Sequence, residues 1–336
     1  MSATANARHF VTMGMFIVDQ FSFLDEDGVP TGNTLAPQIG GGGTYASIGA
    51  RIWLHPDQVG MIVDRGHDFP EHIQRRLDSY GEEMWFYRDD PSRDTTKALN
   101  EYRGDHRGFA YLTPRVRITP RDLSNTPFSQ PATLHFICSP SRAAAIMSEV
   151  AEVEGWSPVT IYEPIPDRCI PQELPALQDV LPVINILSPN AEEALSLLSI
   201  SEPPSESSIE EAARSFLAMG VGPHGTGAVI IRSGALGAYV ASRERPGRWI
   251  PAFWGSEDIH KVVDVTGAGN AFLGGLAAGL RFTNGDVFQA VVYAAVSASF
   301  IIEQEGLPLL TTTLGSDGQK TELWNGESPK RRLDKL

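Results

Sequence analysis

The 336 residues predict an α/β protein: a three-layer α/β/α sandwich around a mostly parallel sheet, with a small β-strand lid. Three observations carry this. Apolar runs of strand length alternate with stretches of helical spacing along most of the chain. The alternation fails at two hairpin-like patches, near 20–38 and 84–113, whose short strands can pair as a second sheet covering one face. A small-residue turn inside "DVTGAGNAFLGGLAAGL" (264–280) breaks a strand-like run and opens a long helix.

"FVTMGMFIV" (10–18) reads as the first strand, ending at Asp19, where open α/β sheets bind ligands. Turn chemistry and short alternations follow to about residue 38. "GGGGTYASIGARIWL" opens on four glycines and continues into helical spacing through Tyr45, Ile48 and Ile52. "QVGMIVDRG" is a buried-type strand, and "FPEHIQRRLDSYG" a helix closed by Gly81. "MWFYRDD" and "HRGFAYLTPRVRI" form the second hairpin patch. Strand-turn-helix units recur at "TLHFICSP" with "SRAAAIMSEVAEVEGW", and at "LPVINILSPNAEEALSLLSI", with the strand "PVTIYEPIP" between them. "GAVIIRSGALGAYVAS" reads as two strands around a turn, and "VFQAVVYAAVSASFIIEQEG" as a late helix. One domain is expected over 1–312, with a polar C-terminal tail over 313–336 ordered only in part.

Composition narrows the function classes. Hydrophobic residues make up 42% and charged residues 20%, which reads as soluble and globular. The net charge of −14 argues against a nucleic-acid surface, which needs clustered Lys and Arg. Cys138 and Cys169 give neither a zinc spacing nor a disulfide framework, so reduced thiols are expected. No apolar run is long enough to span a bilayer. A cytoplasmic or nuclear protein without membrane or nucleic-acid partners is expected.

Four motifs carry chemistry. At Gly267, Ala268 and Gly269, backbone N–H groups converge on one spot at a helix N-terminus and favour an anion. The turn is neither a Walker loop nor a dinucleotide fingerprint, since no Gly-Lys-Ser/Thr follows and Phe272 replaces the third glycine. A tight turn with close helix packing is the bland alternative. Asn190 and Glu193 in "SPNAEEA" can face one way and suit a hydrated magnesium, or simply cap a helix. Gly234 and Gly237 in "IRSGALGAY" let an adenine or ribose lie against the backbone, or shape a hairpin. The glycines at 40–43 bring backbone close to a hydroxylated ligand, or act as a hinge.

In this order the motifs resemble the PfkB, or ribokinase-like, family of carbohydrate kinases. The resemblance covers roughly residues 9–310. The family signature Asp-Thr-x-Gly-Ala-Gly-Asp-x-Phe stands here as Asp264-Val265-Thr266-Gly267-Ala268-Gly269-Asn270-Ala271-Phe272. The Asn-x-x-Glu element matches Asn190 to Glu193, the Gly-x-x-Gly turn matches Gly234 to Gly237, and the first-strand pattern matches Gly14 to Asp19. "GGGGTYASIGAR", "YEPIPD" and the Asn in the signature look closest to a fungal, Mak32-like branch.

The resemblance implies ATP-dependent phosphoryl transfer to a hydroxyl of a sugar or nucleoside-like molecule. It implies an anion hole at Gly267, Ala268 and Gly269, and nucleotide contacts from Arg232, Gly234, Gly237, Thr266 and Gly269. Asp19, Gly42, Gly43 and Asn270 would meet the substrate. Asn190 and Glu193 would hold Mg2+ through water, and Asp264 a monovalent cation such as K+. A homodimer through the lid is also implied. Two departures weaken the implication. Asn270 stands where the family has its catalytic Asp, and a side chain that cannot hold a proton forfeits the roughly 10²–10⁴ in rate that a general base supplies. The sugar-contacting Asn positions fall near Thr44 and Ile17. A slow kinase, a nucleotide- or sugar-binding pseudoenzyme, and an interaction protein with a degenerate pocket all remain open.

Overall fold

The computed structural model describes residues 8–103, 106–314 and 320–336. Nine strands form the main sheet, in the spatial order Arg248–Ile250, Ala238–Ser242, Ala228–Arg232, Ile186–Leu187, Val159–Pro164, Thr133–Cys138, Phe10–Thr12, Val59–Arg65 and Trp85–Asp89. From Ala228–Arg232 to Trp85–Asp89 all neighbours are parallel, and the first two strands add antiparallel. Both faces are covered, as a parallel sheet requires. The strand Ala228–Arg232 shows why its sequence is apolar without a break: Ile230 joins one core while Val229 and Ile231 join the other.

The first core lies under the helices Gly42–Arg51, Ala268–Phe282 and Val287–Ile301; the second lies under Pro140–Ala151, Leu174–Val180, Ala191–Leu197 and Glu206–Met219. The three layers and the small second sheet are those expected. The lid consists of Gln38–Gly40, Ile17–Leu24, Lys97–Arg103 and His106–Tyr111, paired in that order. Its central pair is parallel and its outer pairs are antiparallel. Residues 104 and 105 of the second patch lie outside the described residues.

Four expectations are corrected. The run 10–18 is not one strand: Phe10–Thr12 belongs to the main sheet and Ile17–Leu24 to the lid. The chain departs at Gly14, whose backbone packs against Gly43 so closely that a Cβ on Gly43 would lie 2.1 Å from the Gly14 carbonyl oxygen. Asp19 therefore lies on a lid strand rather than at a main-sheet strand end. Trp85–Asp89, assigned to the lid by its aromatic composition, is the edge strand of the main sheet, where Trp85 is buried. The stretch before Gly267 forms no strand; Ser256–Lys261 is a short 3-10 helix and 262–266 is irregular. The polar C-terminal segment folds back: Leu310–Leu314 pairs with Lys320–Trp324, and Pro329–Leu333 is helical. Residues 315–319 of that segment lie outside the described residues. Among the described residues no helix is long and apolar enough to cross a membrane.

Candidate active site

The helix Ala268–Phe282 begins at Gly267, whose left-handed backbone (φ 78°, ψ −6°) turns the chain and offers no side-chain cap. The Tyr45 ring lies where a side chain on Gly267 would have to go, 2.2 Å from an ideal Cβ. The Ala268 N–H donates to Val265 O and the Ala271 N–H to Gly267 O. The N–H groups of Gly269 and Asn270, between them, have no carbonyl one turn back in their own helix, so the first turn presents donors and the positive end of its dipole.

Arg232 ends the strand Ala228–Arg232 and reaches this turn. Its Nη1 lies 2.2 Å from where a Gly269 Cβ would stand, so the glycine makes room for the guanidinium. Nη2 pairs with Glu163 Oε1 at 2.9 Å, donates to Ser188 O at 3.0 Å, and lies 3.6 Å from Glu193 Oε2. The Arg232 backbone N–H donates to Pro189 O, which fixes the Asn190–Glu193 helix start against the same strand end.

Asn270 donates from Nδ2 to Glu163 Oε2 at 2.7 Å. Glu163 lies on the strand Val159–Pro164 and is only 6% exposed. Burial alone would push its carboxyl up. Arg232, His135 and Asn270 together outweigh burial and hold it below the usual carboxylate range. An ionised carboxylate only accepts, which settles the amide: Nδ2 must face Glu163 and Oδ1 must face away. His135 is fully buried, with Nε2 3.5 Å from Glu163 Oε2 and Nδ1 2.9 Å from Thr12 Oγ1; that hydroxyl also accepts from the Gly14 N–H.

Asn190 and Glu193 form a reciprocal capping box: Glu193 N–H donates to Asn190 Oδ1 at 2.8 Å and Asn190 N–H to Glu193 Oε2 at 2.7 Å. Burial, aided by Glu163, pushes the Glu193 carboxyl up to about 7 despite Arg232. This donor set fits a metal ion poorly. Each side chain is committed to the helix start, and a guanidinium already stands beside the carboxylate. Among the described residues, the side chains grouped within metal-ligand reach are His67, Asp68 and Asp94, elsewhere on the surface, and there His67 pairs with Asp94 and Lys97 with Asp68.

Under the lid lies a cavity of about 270 Å³, lined by Asp19, Asn100, Tyr102, Tyr45, Asp264 and Thr266 among others. The Asp264 carboxylate accepts from the Thr266 N–H at 2.9 Å, which shapes the approach to the turn at Gly267. Tyr45 belongs to both places, as cavity wall and as the ring against Gly267. Gly42 faces the amide, since a Cβ there would be 3.0 Å from Asn270 Nδ2. Gly43 is buried against Gly14. Gly234 lies on an exposed 3-10 turn; Gly237 (φ 90°) closes it, with Ser233 N–H donating to Gly237 O at 2.7 Å.

The structure thus gathers Gly267, Ala268, Gly269, Asn270, Arg232, Asn190, Glu193 and Gly42 around one helix start. Asp19, Thr266 and Asp264 line the cavity under the lid. Glu163, His135 and Tyr45 were not anticipated as site residues. A signal for Glu163 existed: an acid at the end of an apolar strand, in "YEPIPD", lies at the ligand edge of an α/β sheet. Nothing local marks His135 or Tyr45.

A mostly parallel sheet covered on both faces, with a small strand lid, is a ribokinase-like fold. The pfkB family carbohydrate kinase model matches residues 8–313, and the chain belongs to that family. Protein MAK32 of Saccharomyces cerevisiae is 36% identical over 325 residues, covering 89% of this chain and 85% of its own. An uncharacterised protein of Schizosaccharomyces pombe is 36% identical over 344 residues, covering 96% and 91%. These matches place the chain with the fungal Mak32-like branch. The solved ribokinase of Cryptococcus neoformans, in complex with ADP, superposes with a TM-score of 0.66 at 17% identity, over 98% of this chain and 100% of that one.

Proposed function

We propose that this protein binds ATP with its phosphates at the helix start Gly267–Gly269 and transfers the γ-phosphoryl group slowly to a hydroxyl of a sugar or nucleoside-like molecule. The observation that carries the reading is the uncapped N-terminus of Ala268–Phe282, with Asn270 and Arg232 fixed beside it. The neighbouring fold that holds ADP supports the choice of donor.

The chemistry follows from the residues. The acceptor oxygen attacks the γ-phosphorus as the bond to the β-phosphate oxygen lengthens. Charge developing on the transferred group is met by the backbone N–H groups of the turn, a contribution that needs no titratable group. Asn270 Oδ1, turned away from Glu163, accepts a hydrogen bond from the hydroxyl and orients it. It cannot take the proton, which passes instead to an oxygen of the transferred phosphoryl group, so positioning and electrostatics remain while the base contribution is missing. Asp19 in the cavity would select a hydroxylated acceptor. Thr266 and the Gly234–Gly237 turn would border the nucleotide, and Asp264 would border a monovalent cation.

A second reading is a pseudokinase that binds nucleotide without turnover. The hydrogen bond between Asn270 and Glu163 favours it, because this stable amide–carboxylate pair leaves no free base at position 270.

Thermal unfolding with and without ATP tests the shared core. Saturation at 100 times the dissociation constant adds about 2.7 kcal/mol. Gly269→Val is expected to abolish the shift, since its side chain would displace the Arg232 guanidinium. An unchanged shift in that variant removes the phosphate site. Turnover by the wild type near 10 s⁻¹, a typical enzyme value, would refute slow transfer.

A further inference from the structure

The ATP reading, on which the following rests, leaves open what balances the phosphate charge. Two observations bear on it. The Asn190–Glu193 element is closed on itself as a capping box, and a guanidinium lies 3.6 Å from its carboxylate. A divalent cation there would face the fixed positive charge of Arg232 and oxygens that already accept from the helix start. The second observation is the uneven use of Arg232. Its Nη2 takes all the recorded acceptors, Glu163 Oε1, Ser188 O and Glu193 Oε2. Its Nε is buried without a hydrogen-bond partner, and its Nη1 rests on Gly269 with no acceptor recorded among the described residues. Glu163 and Ser188 hold the planar fork still while one amine faces the turn that would receive an anion.

We propose that Arg232 supplies, from within the chain, the positive charge that a metal ion would otherwise bring to the phosphates, so that the site takes a nucleoside triphosphate free of divalent cation. Nη1 and the first-turn N–H groups of Ala268–Phe282 form one donor surface. Glu163 anchors the guanidinium from behind and through Asn270 ties the same surface to the acceptor side. Gly269 is required because any side chain would occupy the place of Nη1.

Isothermal titration of the full chain with ATP, once with excess EDTA and once with excess Mg2+, tests this directly in the wild type. The two dissociation constants are expected to agree within about threefold, a difference well under one charged hydrogen bond. Arg232→Met should weaken ATP in EDTA by about tenfold or more, the loss of one charge-assisted contact. Because that variant leaves Glu163 buried without its partner, Arg232→Met/Glu163→Gln serves as the folded control and should show the same loss. Binding in Mg2+ at least thirtyfold tighter than in EDTA overturns the proposal and leaves the nucleotide reading standing. So does full affinity in EDTA for the double variant. No binding of ATP in either medium removes the nucleotide reading, and the proposal with it.

Discussion

Asn270 and Glu163 behave as one unit, and this changes what a substitution at 270 can do. Asn270→Asp places a second carboxylate at the 2.7 Å now spanned by an amide hydrogen bond. Two carboxylates so close cannot both ionise, and one is pushed up strongly. The sign follows from proton binding. The folded variant keeps a proton that the unfolded chain releases near pH 4, so stability falls as pH rises above that value, by about 1.4 kcal/mol per unit of upshift. Asn270→Asp should therefore lose about 2 kcal/mol more, relative to wild type, at pH 8 than at pH 5 in urea unfolding. Glu163→Gln/Asn270→Asp, with one carboxylate in the pair, should lose that pH dependence. Equal destabilisation of the single variant at both pH values would show that the two groups are not coupled. Catalysis should follow the same rule. The gain of about 10²–10⁴ expected from restoring a base belongs to the double variant at neutral pH, because in the single variant the proton is shared.

Among the elements, the pair formed by Gly42–Arg51 and Ala268–Phe282 fixes the site. Both helices are rich in small residues, and the backbones approach until a Cβ on Gly274 would lie 1.8 Å from Ala46 O and one on Gly49 would lie 2.0 Å from Ala271 O. A helical glycine costs roughly 1 kcal/mol against alanine when exposed. Here the close approach reverses that preference. Gly274→Ala is expected to destabilise by about 1–3 kcal/mol through overpacking, measured by urea unfolding, and to weaken ATP binding by shifting Gly267 against Tyr45. Stabilisation by that substitution would show that the helices have room to separate. The glycine run at 40–43 meets several neighbours: Gly41 approaches Met15 O, Gly42 passes beside Asn270, and Gly43 packs on Gly14.

Across the whole molecule, the C-terminal segment closes the first core. Trp324 is fully buried, stacked on Tyr80 with centroids 5.8 Å apart, and Arg51 lies over the same indole while pairing with Glu322. Arg332, 2% exposed, pairs with Glu303 and Glu327 and lies 3.7 Å over the Phe300 ring. Trp324→Ala should cost about 3–5 kcal/mol in chemical denaturation, while ATP affinity at saturating stability conditions stays within twofold, a change below about 0.5 kcal/mol. A loss under 1 kcal/mol would mean that the segment is an appendage rather than part of the core.

The layered fold was legible because buried strands such as Ala228–Arg232 and amphipathic helices such as Glu206–Met219 carry their own periodicity. Local pattern also revealed the glycine turn and the Asn190–Glu193 spacing, and the family resemblance revealed the missing acid at 270. Other features depended on partners distant in sequence. Trp85–Asp89 has the composition of a lid strand, and only its pairing with Val59–Arg65 makes it a sheet edge. The tail looked polar because its one large anchor, Trp324, is isolated among charged residues whose partners lie elsewhere. Glu163, Arg232 and Asn270 come from three separate segments, and no local pattern encodes an amide held by one buried acid or a guanidinium shared between two. Periodicity and turn chemistry act over a few residues, so the sequence by itself determined the class, the layers and the glycine turn before Ala268–Phe282. Charge pairing and desolvation act through space, so only the tertiary structure decided that the carboxylate at 163 is the one that pairs with both Arg232 and Asn270.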